Sequence, residues 1–122
     1  MINGVVNASL EATLLLDIHG SSGPATTTVV IDTGYNGSLT LPIALIASLS
    51  LSPLASRPVT LGDASRRVLD FYETEVEWDG QRRSIAVLHV EGEPLIGTAL
   101  LQGYKLEADF VDGGLVRLLP LP

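Results

Sequence analysis

The sequence predicts a mainly β, barrel-like domain with one or two short helices, spanning residues 1–122 as a single unit. Apolar and polar residues alternate with a period of two along most of the chain, which is the spacing of half-buried strands. Clusters of glycine, proline, aspartate and serine separate these segments, and only two short segments show helical spacing. Many short strands at regular spacing are typical of a closed β fold, and 122 residues suit one domain.

The composition narrows the class of protein. Hydrophobic residues make up 46% of the chain and charged residues 17%, so the domain can bury a core. Seven basic against fourteen acidic residues give a net charge of −7, which argues against nucleic acid and anionic membranes as partners. The absence of cysteine excludes disulfides and thiolate metal sites. We see no signal peptide and no run of about 18 apolar residues, so we expect a cytoplasmic protein.

The first predicted elements are two strands joined by a turn. Residues 8–18 alternate between apolar and polar side chains, and the glycine- and serine-rich residues 20–24 form the turn. Residues 26–31 are rich in threonine, valine and isoleucine, whose branched side chains fit a pleated and buried surface. This second strand ends on Asp32-Thr33-Gly34.

A short helix is predicted next. Pro42 suits a first helical turn, where its missing N–H costs nothing, and Pro53 is expected to end the element. Between them, Ile43, Ile46 and Leu49 recur at helical spacing. A helix of roughly two turns is marginal alone, so it must pack on the sheet.

Two hairpins follow in the predicted order. Residues 59–61 and 68–71 flank a polar link, residues 62–67, which indicates the first hairpin. Asp79-Gly80 is a strong signal for the second, because its turn requires positive φ. That turn places Glu77 opposite Arg82, and the return strand is residues 85–90. The acidic positions that precede the turn are predicted to form a solvated strand face: Glu73, Glu75, Glu77 and Asp79.

The C-terminal part is predicted to hold a second short helix and two strands. Residues 98–102 follow a glycine and form the helix, with Gly103 as its stop. Residues 104–111 and 115–119 are the closing strands, joined by Asp112-Gly113-Gly114.

The candidate catalytic residue is Asp32. Alone, Asp-Thr-Gly is typical of any turn that ends a strand. Here the aspartate follows a buried strand, so its carboxylate can enter a partly desolvated cleft, and Gly34 lets a ligand or a second chain approach the backbone. A second glycine-bearing element, Leu95-Ile96-Gly97, lies downstream before a short helix. Between the two elements is a hairpin around Asp63 that could serve as a lid.

These motifs, in this order and spacing, resemble the retropepsin-like (clan AA) single-domain aspartic peptidases. More narrowly, the chain is similar to the predicted aspartyl proteases of bacteria and archaea. Residues 32–42 match their motif almost throughout, with the sequence DTGYNGSLTLP. The resemblance covers nearly the whole chain, from the first hairpin to the helix after Gly97.

The resemblance implies a homodimeric aspartic endopeptidase that cleaves polypeptides without a metal or cofactor. Each chain carries Asp-Thr-Gly once, as a dimer with one aspartate per subunit requires. Carried over residue by residue, the catalytic residues are Asp32, Thr33 and Gly34. The substrate-binding residues are Tyr35 and Asn36 together with a flap formed by Gly62, Asp63, Ala64 and Ser65. The implied structural support of the catalytic loop is Leu95, Ile96 and Gly97.

The chain departs from the family pattern at two places. Many members carry alanine or serine where this chain has Tyr35, whose ring could narrow a substrate pocket or turn aside and pack. Retroviral members pair an acid with an arginine at the positions of Asn36 and Thr98, so that ion pair is absent. These departures leave open an alternative function, a catalytically weak or inactive retropepsin-fold module for dimerisation or peptide binding.

Other residues receive plainer interpretations. His19 and His89 are isolated in sequence, so a metal site is not expected. Trp78 is expected in the core or an interface. A third hypothesis is an acidic β-barrel without a catalytic site. For a dimer, we expect contacts through the Asp32 loops and the terminal segments, with residues 115–119 as a candidate strand.

Overall fold

The computed structural model describes all 122 residues and is mainly β with two short helices, as the sequence predicts. The helices are α1 (Ile43–Leu49) and α2 (Thr98–Leu101). Neither is long and apolar enough to cross a membrane. The strands are β1 (Ile2–Val6), β2 (Ala12–Gly20), β3 (Gly23–Ile31), β4 (Leu39–Leu41), β5 (Ser52–Thr60), β6 (Arg66–Trp78), β7 (Gln81–His89), β8 (Leu95–Ile96), β9 (Tyr104–Ala108) and β10 (Leu115–Pro120).

All ten strands belong to one hydrogen-bonded sheet, in the order β5-β6-β7-β4-β8-β3-β2-β1-β10-β9. An additional pairing of β6 with β2 closes a circuit through β7, β4, β8 and β3. Two of these contacts are parallel, β3 with β8 and β4 with β7. The strict barrel and the homodimer remain predictions.

The core lies on the inner face of this circuit. Leu14, Leu16 and Ile18 alternate along β2 and are almost fully buried, whereas the side chains between them are exposed. Trp78 is buried and meets the ring of Tyr104 edge-on, with 5.9 Å between the ring centroids. Fully burying one leucine-sized side chain contributes roughly 1.5–3 kcal/mol. The burial of these alternating apolar side chains is therefore the main source of stability.

The first strand predicted from the sequence begins later than expected. The chain turns at residues 7–11, and β2 begins at Ala12. Asn7 directs this turn, because its Oδ1 accepts hydrogen bonds from the N–H groups of Ser9 (3.0 Å) and Glu11 (2.9 Å). Leu10 takes a left-handed conformation, with φ of 62°. A local side-chain bond therefore overrides the alternating pattern.

The end of the first helix is also corrected. Helix α1 begins after Pro42 as predicted, but Ser50 ends it by adopting a left-handed conformation with φ of 52° and donating its N–H to Ala47. Pro53 lies beyond the helix, in the exposed edge strand β5. The proline therefore does not terminate the helix.

The C-terminal strands are arranged differently from the predicted dimer contact. Strand β10 is hydrogen-bonded on one edge to β1 and on the other to β9. Residues 115–119 therefore have no free edge to pair with a strand of a second chain, and a dimer contact of the terminal segments stays a prediction. Strand β9 ends at Ala108, three residues earlier than predicted, and forms one end of the sheet.

The second hairpin matches its prediction. Asp79 and Gly80 form the turn with φ of 54° and 82°. The register places Glu77 opposite Arg82, and Arg82 Nε lies 3.7 Å from Glu77 Oε1. Thr74, Val76 and Trp78 are buried, so the acidic residues that alternate with them lie on the outer face.

Glu91 caps helix α1 from a distant part of the chain. Pro42 has no side-chain acceptor for the first N–H groups of the helix, and Glu91 Oε2 accepts from Ile43 N–H at 2.9 Å. This bond, followed by the hydrogen bond from His89, lowers the pKa of Glu91 below its ordinary value. The cap therefore adds stability above the ordinary pKa and loses it as pH falls through the lowered value.

We expect Glu91→Ala to lower the free energy of unfolding at pH 7 and to have a smaller effect at pH 3, where a larger fraction of the wild-type carboxyl is protonated. Urea denaturation at both pH values measures this. Glu93→Ala is the matched control, because Glu93 is exposed and lies two residues away. An equal loss for Glu91→Ala at both pH values would contradict the capping role.

Candidate active site

Asp32 lies where β3 leaves the sheet. The last residues of β3 pair in parallel with β8, with Val30 beside Leu95 and Ile31 beside Ile96. The N–H of Asp32 continues this ladder by donating to the carbonyl of Ile96 at 2.9 Å. The strand places the aspartate at the boundary between the core and solvent, where its side chain is half-buried.

The loop after Asp32 orients the carboxylate. Gly34 N–H donates to Asp32 Oδ1 at 2.9 Å, and Tyr35 N–H donates to the Asp32 carbonyl at 3.2 Å. A Cβ atom on Gly34 would lie 3.2 Å from Asp32 Oδ1, which is a tight contact. A backbone N–H of the same loop therefore holds one oxygen of the Asp32 carboxylate in place.

The start of α2 holds the same loop from the other side. Three successive N–H groups donate to it: Gly97 to Ser38 (3.1 Å), Thr98 to Tyr35 (2.8 Å) and Ala99 to Gly37 (3.2 Å). Residues 95–97, predicted to support the catalytic loop, thus lie against it in the structure.

Gly97 is required by this close approach. A Cβ atom at Gly97 would lie 2.5 Å from the Tyr35 carbonyl oxygen and 2.6 Å from Tyr35 Cδ2, and it would also meet the carbonyl of Gly37. The two carbonyl groups belong to the backbone, which cannot move aside cheaply.

The ring of Tyr35 packs across two glycines. A Cβ atom at Gly37 would lie 2.9 Å from Tyr35 Cε1, and Gly97 lies under the other edge of the ring. This burial raises the pKa of the Tyr35 hydroxyl above its ordinary value. Of the two orientations that the sequence allowed, the structure has the ring turned aside.

Of the two positions of the missing ion pair, Thr98 bonds to the loop, but at Tyr35 and not at Asn36. Thr98 donates its N–H and its hydroxyl to the Tyr35 carbonyl, at 2.8 and 3.4 Å. Asn36 is exposed. The loop and the helix are thus connected through neutral hydrogen bonds.

A mostly apolar cavity of about 410 Å³ opens beside Asp32 and Thr33. Sequence reasoning missed half of its lining residues, which come from the turn before β2, from the first residue of β2 and from the segment around β9. The only sign of these walls in the sequence is an apolar side chain in a turn, such as Leu10 or Phe110. Both side chains are more than half exposed. The cavity is lined by Leu10, Glu11, Ala12, Val30, Ile31, Asp32, Thr33, Leu95, Leu106 and Phe110.

The tip of the β5–β6 hairpin does not line this cavity in a single chain. Its turn is closed by Asp63, whose carboxylate accepts from the Ser65 hydroxyl (2.6 Å) and the Ser65 N–H (2.9 Å). These bonds lower the pKa of Asp63 below its ordinary value. The structure thus joins the Asp32 loop to its supporting residues and leaves the predicted flap tip, residues 62–65, apart from them.

A second cavity, of about 450 Å³, lies next to His19 and is polar. His19 Nε2 lies 3.1 Å from Glu77 Oε1, and His89 pairs with Glu91. Neither histidine belongs to a group of three or more metal-binding side chains.

Comparison with known proteins identifies the fold. No protein-family model and no curated protein matches the sequence. Among solved structures, the chain is similar to EIAV protease complexed with the inhibitor HBY-793, with a TM-score of 0.57 and 16% sequence identity. The match covers 75% of this chain and 86% of that one. The domain therefore has a fold similar to that of a retroviral protease.

We expect Gly97→Ala to lower the free energy of unfolding by about 1–3 kcal/mol, because the new methyl group meets fixed backbone atoms. Urea denaturation measures the change. Gly62→Ala is the control, since its Cβ would enter open space, and we expect it to stay within about 0.5 kcal/mol of wild type. Equal stability of the two variants would contradict the packing described for the loop.

Proposed function

We propose that the protein is an aspartic endopeptidase that acts as a homodimer, with Asp32 of each subunit forming the catalytic pair. The observation that carries the proposal is the setting of Asp32. Its carboxylate is oriented by Gly34 N–H and faces an apolar cavity of about 410 Å³. The similarity of the fold to EIAV protease adds support.

A second carboxylate is needed for the chemistry, and a second copy of the chain is the best source. Two carboxylates in contact cannot both ionise easily, so the pair shares one proton, and aspartic proteases are the standard example of this behaviour. Within one chain, the other carboxylate of the cavity is Glu11, whose Oε1 accepts from Asn7 Nδ2 at 3.0 Å. That bond directs Glu11 toward its own turn.

The reaction follows from the shared proton. The ionised carboxylate takes a proton from a water molecule, whose oxygen attacks the scissile carbonyl carbon. The protonated carboxyl donates to the carbonyl oxygen and stabilises the tetrahedral intermediate. Collapse of the intermediate breaks the C–N bond, and a proton from the dyad passes to the leaving amine.

The walls of the cavity favour a polypeptide with an apolar side chain next to the cleaved bond. Leu10, Val30 and Phe110 offer apolar contact, and Tyr35 leaves this space open because its ring packs elsewhere. The β5–β6 hairpin is the candidate flap, which would close its tip over the bound peptide.

One observation favours the alternative of a peptide-binding module with little activity. The hairpin tip is held by Asp63 and Ser65 and has arginines at positions 66 and 67. A polar tip of this kind excludes water from a closed site less well than an apolar one does. The module would bind the same peptides and leave them intact.

We expect Asp32→Asn to reduce the rate of peptide cleavage by at least about 10²–10⁴-fold, because the variant has no carboxylate to accept the proton from water. Digestion of a peptide library, followed by mass spectrometry, measures the loss. The dimer should persist in sedimentation.

Two control variants sharpen this result. Asp17→Asn, on the exposed face of β2, should retain full activity. Glu11→Gln should retain catalysis if the second carboxylate comes from another copy of Asp32. Full activity of Asp32→Asn would overturn the proposed function, and inactive Glu11→Gln would point to a pair within one chain.

We also expect cleavage to show a bell-shaped dependence on pH with its optimum on the acid side. The dyad works with one proton, so activity falls both where the two carboxyls are protonated and where both are charged. Initial rates at constant ionic strength from pH 3 to pH 9 check this. A flat profile would contradict the shared proton.

A further inference from the structure

The cavity beside Asp32 contains negative charge that no cation of the chain balances. Two of its lining residues, Asp32 and Glu11, are carboxylates, and none is a lysine, an arginine or a histidine. The remaining walls are mostly apolar, so these charges are screened less than charges on an open surface. A positively charged group that enters the cavity would therefore gain favourable electrostatic energy.

Glu11 is held in place but keeps one oxygen free. Its Oε1 accepts from Asn7 Nδ2 at 3.0 Å, and its backbone N–H donates to Asn7 Oδ1 at 2.9 Å. No other hydrogen bond or ion pair of the chain uses this carboxylate. The turn thus fixes Glu11 at the cavity wall and leaves its Oε2 available to a ligand.

The cavity is larger than one apolar side chain requires. An apolar cavity of roughly 150 Å³ is enough to hold a benzene ring. The cavity beside Asp32 measures about 410 Å³. The apolar side chain next to the cleaved bond would therefore leave space for a second side chain of the substrate.

Lysine and arginine side chains match these walls. Each joins an aliphatic stem, which packs on apolar surface, to a charged head that needs polar partners. Leu10 and Phe110 would contact the stem, and Glu11 would accept hydrogen bonds from the head. A metal ion fits less well, because the chain has no group of three or more metal-binding side chains.

We propose that Glu11 selects substrates that carry a lysine or an arginine close to the cleaved bond, by pairing its carboxylate with the charged head. The inference rests on the proposed function, because it names the substrate class of the same site. Glu11 is then a specificity-determining residue, and Asp32 remains the catalytic one. The net charge of −7 favours the same substrates, since it attracts basic polypeptides from a distance.

A position-scanning peptide library tests this selection. Octapeptides with two central leucines carry lysine, norleucine or glutamate at each remaining position in turn. Lysine and norleucine share an aliphatic stem, so the ratio of their kcat/KM values isolates the charge. At pH 6 and low salt, we expect lysine to be preferred about tenfold over norleucine at one position or more, which is the effect of one charge-assisted hydrogen bond. Glutamate should be the least favoured of the three.

Glu11→Gln is the decisive variant, because glutamine keeps an oxygen that can accept from Asn7 and loses the charge. We expect its preference for lysine to fall below about twofold. Glu11→Lys should reverse the order and prefer glutamate to norleucine. Glu93→Gln makes the same chemical change at an exposed position outside the cavity, and it should keep the wild-type ratio. If Glu11→Gln lost activity equally toward all three peptides, Glu11 would have a structural role and the selection would be overturned.

A binding measurement separates this inference from the proposed function. Fluorescence anisotropy of the labelled peptides with the Asp32→Asn variant reports selection without cleavage. Cleavage with no preference for lysine would overturn the role of Glu11 and leave the proposed function intact. Preferential binding of the lysine peptides that is lost in D32N/E11Q, with no cleavage by the wild type, would support the role of Glu11 and refute the proposed function. The absence of both cleavage and selective binding would overturn both.

Discussion

The backbone hydrogen bonds between the Asp32 loop and residues 96–99 are the constraint on which the rest of the structure depends. Asp32 N–H bonds to Ile96, and the N–H groups at the start of α2 bond back to the loop. Strand β8 is only two residues long, yet it pairs with β3 on one side and β4 on the other. Two distant parts of the chain are therefore locked at one point, and the absence of a side chain at Gly97 permits the approach. Fold and candidate site share the same bonds.

This lock explains why the carboxylate can be both rigid and accessible. The backbone groups of the loop form hydrogen bonds with one another and with the start of α2. The Asp32 side chain is held by this loop at the rim of the apolar cavity. Charges interact more strongly beside apolar walls than in water, because the local dielectric response is weaker. A second carboxylate brought to this rim would couple strongly to the first. No lysine or arginine lines the cavity, so its walls offer Asp32 no counter-charge.

The terminal strands decide which edges of the sheet are occupied. Strand β10 is held between β1 and β9, so both of its edges are paired within one chain. The edge exposed in exchange is β9, which is free of proline and adjacent to the Asp32 cavity. An unprotected edge is a liability for a monomer and an interface for a dimer. Activity that requires two copies of the chain, as the proposed function does, would rise with protein concentration, since assembly and completion of the site would be the same event.

The sequence by itself determined the elements whose signals are local. Alternation specified the inner face of β2, Asp79-Gly80 specified a hairpin and its register, and the Asp-Thr-Gly and Leu-Ile-Gly motifs marked segments that meet in space. Only the tertiary structure decided the direction of Tyr35, the walls of the cavity and the free edge of the sheet, because each depends on contacts between residues far apart in the chain. Packing over Gly97 decided the direction of Tyr35, and the convergence of a turn and a C-terminal strand decided the walls of the cavity. The pairing of β10 on both sides decided which edge stays free, since strand order is set by the burial of the whole sheet.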